Sequence, residues 1–112
     1  MQIISPSISK KDITGKYLHH FKDMVKVVID IENKILAIDA ELHSDLEELL
    51  LKNGSKQENL WGINIYPEAD KEKFIEYTSL INIRPSQGNA SMDIKSNDLR
   101  VKIQKIVNSL IT

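Results

Sequence analysis

Residues 24 to 39 constrain the fold most tightly. They carry two β-branched runs, MVKVVIDI and KILAID, split by Glu32-Asn33. Runs of this kind on either side of a short polar turn read as an antiparallel hairpin. Around that turn Ile29 faces Leu36, Val27 faces Ile38 and Val25 faces Ala40 on one side of the ribbon. The same register sets Lys26 opposite Asp39, a favourable cross-strand charge pair on the other side. Apolar pattern and charge therefore agree on one register.

Other elements arrange themselves around this ribbon. Gln2 to Ile4 fits a short edge strand ended by Pro6. Ser9 then stands where a helix cap would, with Asp12 three residues on and Ile13, Tyr17 and Phe21 at helical spacing. Gly15 weakens that helix. Residues 44 to 52 admit two readings. Ser44 and Glu47 form an S-x-x-E capping box, Leu46, Leu49 and Leu50 share a face, and Asn53-Gly54 can end a helix. The rival makes residues 49 to 52 a strand and Asn53-Gly54 a hairpin turn; the helix is favoured. Downstream, LWGINIYP and FIEYTSLINIRP alternate and are joined by EADKEK, which predicts a second hairpin. Ile63, Ile65, Ile81 and Ile83 would face its core, with Asn64, Asn82 and Arg84 pointing away. Leu99, Ile103, Ile106, Val107 and Leu110 then trace an amphipathic helix capped by Ser96 or Asn97. The expected architecture is α+β over residues 1–112 as one domain. It has a mainly antiparallel sheet of two hairpins, with four or five strands and two or three helices on one face.

Composition narrows the function classes. A chain of 112 residues can bury a core without staples, and with 41% hydrophobic and 28% charged residues it is not a disordered composition. A formal net charge of -1 offers no basic footprint for DNA, although a local patch could still meet a phosphate. The absence of cysteine excludes disulfides, thiolate metal sites and thiol nucleophiles. Apolar runs are too short for a membrane span, and MQIISPSISKK lacks a signal-peptide core. A reduced, cytoplasmic, unprocessed protein is expected. Only two of the fifteen basic residues are Arg, and only Arg84 lies outside a predicted helix.

The stretches ELHSDLEELLLKNGSKQENLWGINIYP (residues 41 to 67), INIRPSQGN (81 to 89) and DMVKVVIDIEN closely resemble a bacterial family of about this length, known only as a domain of unknown function. The resemblance covers nearly the whole chain. Members often carry Gly in the first hairpin turn and just before the ELH stretch, where this chain has Asn33-Lys34 and Ala40. The resemblance implies a single domain and brings no activity, substrate or cofactor.

Two constellations could carry chemistry. The first is Asp39, Glu41, His43, Asp45, Glu47 and Glu48, whose oxygen and imidazole ligands suit a divalent ion or an acid/base pair. Its spacing matches no established ligand motif, and helix capping, the macrodipole and the Lys26 pair explain most of it. These acids are therefore expected to be structural and to bind no divalent ion tightly. The second is Arg84, Ser86, Gln87 and Asn89, with Ser55, Lys56 and Gln57 nearby. A fork-shaped cation at a strand end, followed by a Gly-containing polar loop, can meet an anion. Its competing reading is a turn that ties up its own backbone, with Arg84 in an internal ion pair. Trp61 is expected to pack with its indole N–H on a backbone carbonyl. His19 and His20, near the end of the first helix, are assigned no chemistry.

Two function classes follow. The favoured one is a binding or interaction module that accepts a small anionic group near Arg84 and could self-associate through sheet edges. The alternative is a small metal-dependent hydrolase using Glu41, His43 and Asp45, which requires those three side chains to converge in a cleft.

Overall fold

The computed structural model describes residues 1–112. The 24–39 ribbon forms in the register its pattern dictates. Strands β2 (Val25–Asp30) and β3 (Ile35–Ile38) pair antiparallel with Val27 opposite Ile38 and Ile29 opposite Leu36. The turn spans residues 31 to 34, with Glu32-Asn33 at its centre. Buried Asp30 holds it by accepting from the backbone N–H groups of Glu32 and Asn33, each at 2.9 Å. Lys34 closes it in the left-handed region, at φ 56°. The expected Lys26–Asp39 pair is absent, because β3 stops at Ile38 and Asp39 turns away at φ 79° to meet His19 and His20.

Strand β1 (Gln2–Ile4) adds antiparallel to β3, and β4 (Leu60–Ile65) to β2. The sheet ends at β5 (Ile75–Glu76), giving the order β1-β3-β2-β4-β5. The protein is therefore an α+β fold built on a five-stranded antiparallel sheet, with three helices packed against it.

Those helices divide between the two faces rather than sharing one as expected. Helices α1 (Lys10–Lys16) and α3 (Asn97–Leu110) cover Val25, Val27, Ile29, Ile63 and Ile65 in the larger core cluster. Helix α2 (His43–Lys52) covers Val28, Ala37 and Leu60 on the other face through Leu46 and Leu50. The reason lies in β2 itself. VKVVID presents apolar groups at consecutive positions, so it is buried on both sides, and both sides need a cover. No helix is long and apolar enough to cross a membrane.

Helix ends follow the sequence unevenly. Ser9 caps α1 at Asp12 N and Ser96 caps α3 at Leu99 N. Helix α1 stops at Lys16, short of Tyr17 and Phe21. Helix α2 starts two residues earlier than its capping box proposes, with Leu42 as an N-cap that provides no side-chain hydrogen bond.

The predicted second hairpin is largely missing. Beyond Glu76 the chain leaves the sheet, and residues 80 to 82 form a 3₁₀ turn. Ile83 is 45% exposed while Asn82 is fully buried, so the predicted inward and outward faces are reversed there. Asn82 replaces the missing strand. Its Oδ1 accepts from Gly62 N at 2.8 Å, and its Nδ2 donates to Gly62 O at 2.9 Å. Gly62 permits this approach, since a Cβ there would stand 2.5 Å from Ser79 Cβ.

Candidate functional site

Arg84 is buried at the end of this irregular segment, not pointing outward as expected. Its guanidinium lies over the Trp61 ring, 4.6 Å from the centroid. Nε donates to Ile81 O at 3.0 Å, Nη1 to Gln57 O at 2.8 Å, and Nη2 to Leu60 O. Glu47 Oε2 stands 3.6 Å from Nη2. Burial pulls the Arg84 pKa below its usual value, and the Glu47 carboxylate opposes that shift. The fork that could grip an external anion is thus filled by carbonyls of its own chain.

The neighbouring residues continue the same work. Residues 85 to 87 form a 3₁₀ turn closed by Gly88 at φ 79°. Gln87 Nε2 donates to Glu58 O at 3.0 Å. Asn89 is buried; its Nδ2 donates to Asn82 O at 2.8 Å and its Oδ1 accepts from Lys95 N at 3.0 Å. Ser55 belongs elsewhere, donating to Asp30 Oδ2 at 2.5 Å. Burial alone would raise the Asp30 pKa, but bonds from Asn33, Ser55 and Glu32 outweigh it and hold the carboxyl below its usual range. Of the seven residues singled out around Arg84, the structure joins Arg84, Gln57, Gln87 and Asn89. Ser86 and Lys56 stay exposed, and Ser55 braces the first hairpin. Trp61 Nε1 is buried without a partner, contrary to expectation.

The acidic block does not converge. His43 is buried with Nε2 at 2.8 Å from Ile63 O, and burial depresses its pKa to about 4. Glu41 and Asp45 are exposed at the surface, and Glu48 pairs with Lys52 at 3.1 Å. Glu41, His43 and Asp45 therefore lack the common cleft that the hydrolase reading requires. Glu47 turns inward to Arg84.

What the sequence did not reveal is a cleft of about 330 Å³ at the start of α2. Lys26, His43, Ser44 and Asn64 supply its polar lining, and Leu42, Leu80 and Met92 its apolar rim. Those three side chains are 54%, 70% and 40% exposed and gather around one cleft. Asn64 is 7% exposed. Its Nδ2 donates to Glu76 Oε1 at 2.7 Å and Thr78 O at 3.2 Å, which fixes the amide orientation, and its Oδ1 faces the His43 ring without a hydrogen bond of good geometry. Leu42, His43 and Ser44 at the start of α2 line the same cleft, and no side chain caps the first N–H groups of the helix. Two larger clefts, of about 600 and 580 Å³, flank residues 66 to 78, but neither holds a buried polar atom without a partner. Asn64 could have been suspected only as a polar residue inside LWGINI.

A compact two-faced α+β sheet with an internal Arg staple and one polar-floored cleft defines the class of protein. The chain belongs to the family described as protein of unknown function (DUF5674), whose sequence profile matches residues 2–110. Neither a curated protein nor a solved structure matches it.

Proposed function

We propose that the chain is a small binding module that takes a small anionic molecule with an apolar portion in the cleft at the start of α2. The observation that carries this reading is a single cleft in which three exposed apolar side chains, Leu42, Leu80 and Met92, stand beside Lys26 and the uncapped start of α2. The uncapped N-terminus of α2 and the Lys26 ammonium favour negative charge there. Leu42, Leu80 and Met92 offer an apolar wall. An anion at Arg84 would instead have to displace the carbonyls of Ile81, Gln57 and Leu60. This favours the α2 cleft over the Arg84 loop as the site.

A thermal-shift screen with metabolite carboxylates and phosphate monoesters tests the proposal, since ligands that bind the native state raise its stability. A stabilising compound should lose at least tenfold in affinity on Lys26→Gln and on Leu80→Asp, and should be unaffected by Gln87→Ala. Equal affinity for all three variants, or loss confined to Gln87→Ala, would sink the cleft.

A further inference from the structure

We propose that His19 Nε2, His20 Nε2 and a carboxylate oxygen of Asp39 bind one divalent transition-metal ion of the Zn²⁺ class. The site joins the loop after α1 to the end of β3, so ligands twenty residues apart in sequence meet only in the fold.

The three ligand atoms lie within 4.8 Å of one another. Asp39 Oδ1 stands 2.8 Å from His19 Nε2 and 3.3 Å from His20 Nε2. Ligand atoms around a tetrahedral Zn²⁺, with bonds of about 2.0 to 2.1 Å, stand roughly 3.4 Å apart. The observed spacing therefore needs only small adjustment. Asp39 Oδ1 is also shielded from solvent, yet it receives no hydrogen bond of acceptable geometry from either ring. Three potential ligand atoms thus converge on one point, while the other oxygen of Asp39 takes the Met1 ammonium at 3.4 Å. An ion at that point satisfies all three.

The outer contacts fit the same arrangement. His19 Nδ1 lies 3.1 Å from Lys16 O, so a neutral ring carries its proton on Nδ1 and keeps the Nε2 lone pair for the ion. His20 Nδ1 lies 3.8 Å from Glu41 Oε1, a carboxylate near enough to attract the ring without hydrogen-bonding it. Asp39 reaches this position only by turning into the left-handed region at φ 79°. Imidazole with carboxylate suits Zn²⁺ rather than Mg²⁺ or Ca²⁺. Three protein ligands on a partly exposed surface leave a fourth position open to water.

Calorimetric titration of the tag-free full chain with Zn²⁺ tests the proposal, with Co²⁺ absorption as a spectroscopic check on coordination. One ion per chain should bind with micromolar or tighter affinity. His19→Gln and His20→Gln should each weaken binding at least tenfold, and the double variant should abolish it together with the Co²⁺ visible bands. Asp39→Asn, which tolerates the same backbone conformation, should also weaken binding. Asp45→Asn, an exposed carboxylate outside the cluster, should change nothing. No binding to the unaltered chain would overturn the site, as would binding undiminished in the double histidine variant. The variants' melting curves without metal distinguish lost ligation from lost folding.

Discussion

Arg84 shows how one residue type supports opposite readings until its partners are known. On a solvated surface Arg84→Lys would leave stability nearly unchanged. In the observed setting a Lys ammonium cannot reproduce a planar fork that meets three carbonyls and stacks on Trp61. Arg84→Lys is therefore expected to destabilise by roughly 2 to 4 kcal/mol, read as a fall in the urea midpoint at unchanged slope. His43 provides a second expectation. Its pKa falls from 6.5 unfolded to about 4 folded because burial disfavours the charged ring. The stability it contributes is present above pH 6.5 and is lost as pH falls towards 4, on the order of 3 kcal/mol. Asp30, whose carboxyl is held low, adds its own loss only below pH 3.8. Denaturant midpoints between pH 7 and 4 should show the His43 loss, and His43→Gln should flatten it. The turn that brings Arg84, Gln87 and Asn89 together was legible in sequence from turn chemistry. The direction in which Arg84 points was not, since its partners are backbone carbonyls that carry no sequence signature.

At the scale of elements, local patterns succeeded where the chain determines its own partner. The first hairpin register, the Ser9 and Ser96 caps and the apolar stripe of α3 are such cases. They failed where a competing interaction came from a distance. The 80–84 segment alternates like a strand, but the open edge of β4 at Gly62 is satisfied by the Asn82 amide, and alternation cannot anticipate a side chain taking a strand's place. Likewise, Ser44 is bypassed as a cap once His43 enters the helix and reaches Ile63 O. Substitution reads this directly. Ile83→Ala should change stability by no more than about 0.5 kcal/mol, as at an ordinary surface site. Asn82→Ala should cost roughly 2 to 5 kcal/mol, because it leaves both polar groups of Gly62 buried and unpaired. The reverse order in chemical denaturation would mean that residues 80 to 84 form the predicted strand.

For the whole molecule, the decisive property is that the central strands are buried on both faces. A sheet covered on one side only would leave Val28 and Leu60 in water; α2 covers them. The placement of α2 brings its uncapped start beside β4, and the segment after β5 closes the far wall with Leu80 and Met92. The cleft is thus a product of three elements distant in sequence, which is why no motif announced it. Amide chemical-shift mapping during titration with the strongest compound from the carboxylate and phosphate-monoester screen locates the ligand on the fold. The largest saturable shifts are expected on His43, Ser44, Asn64 and Leu80, with residues 84 to 89 nearly still. Largest shifts centred on Arg84, Gln87 and Asn89 would contradict the cleft site.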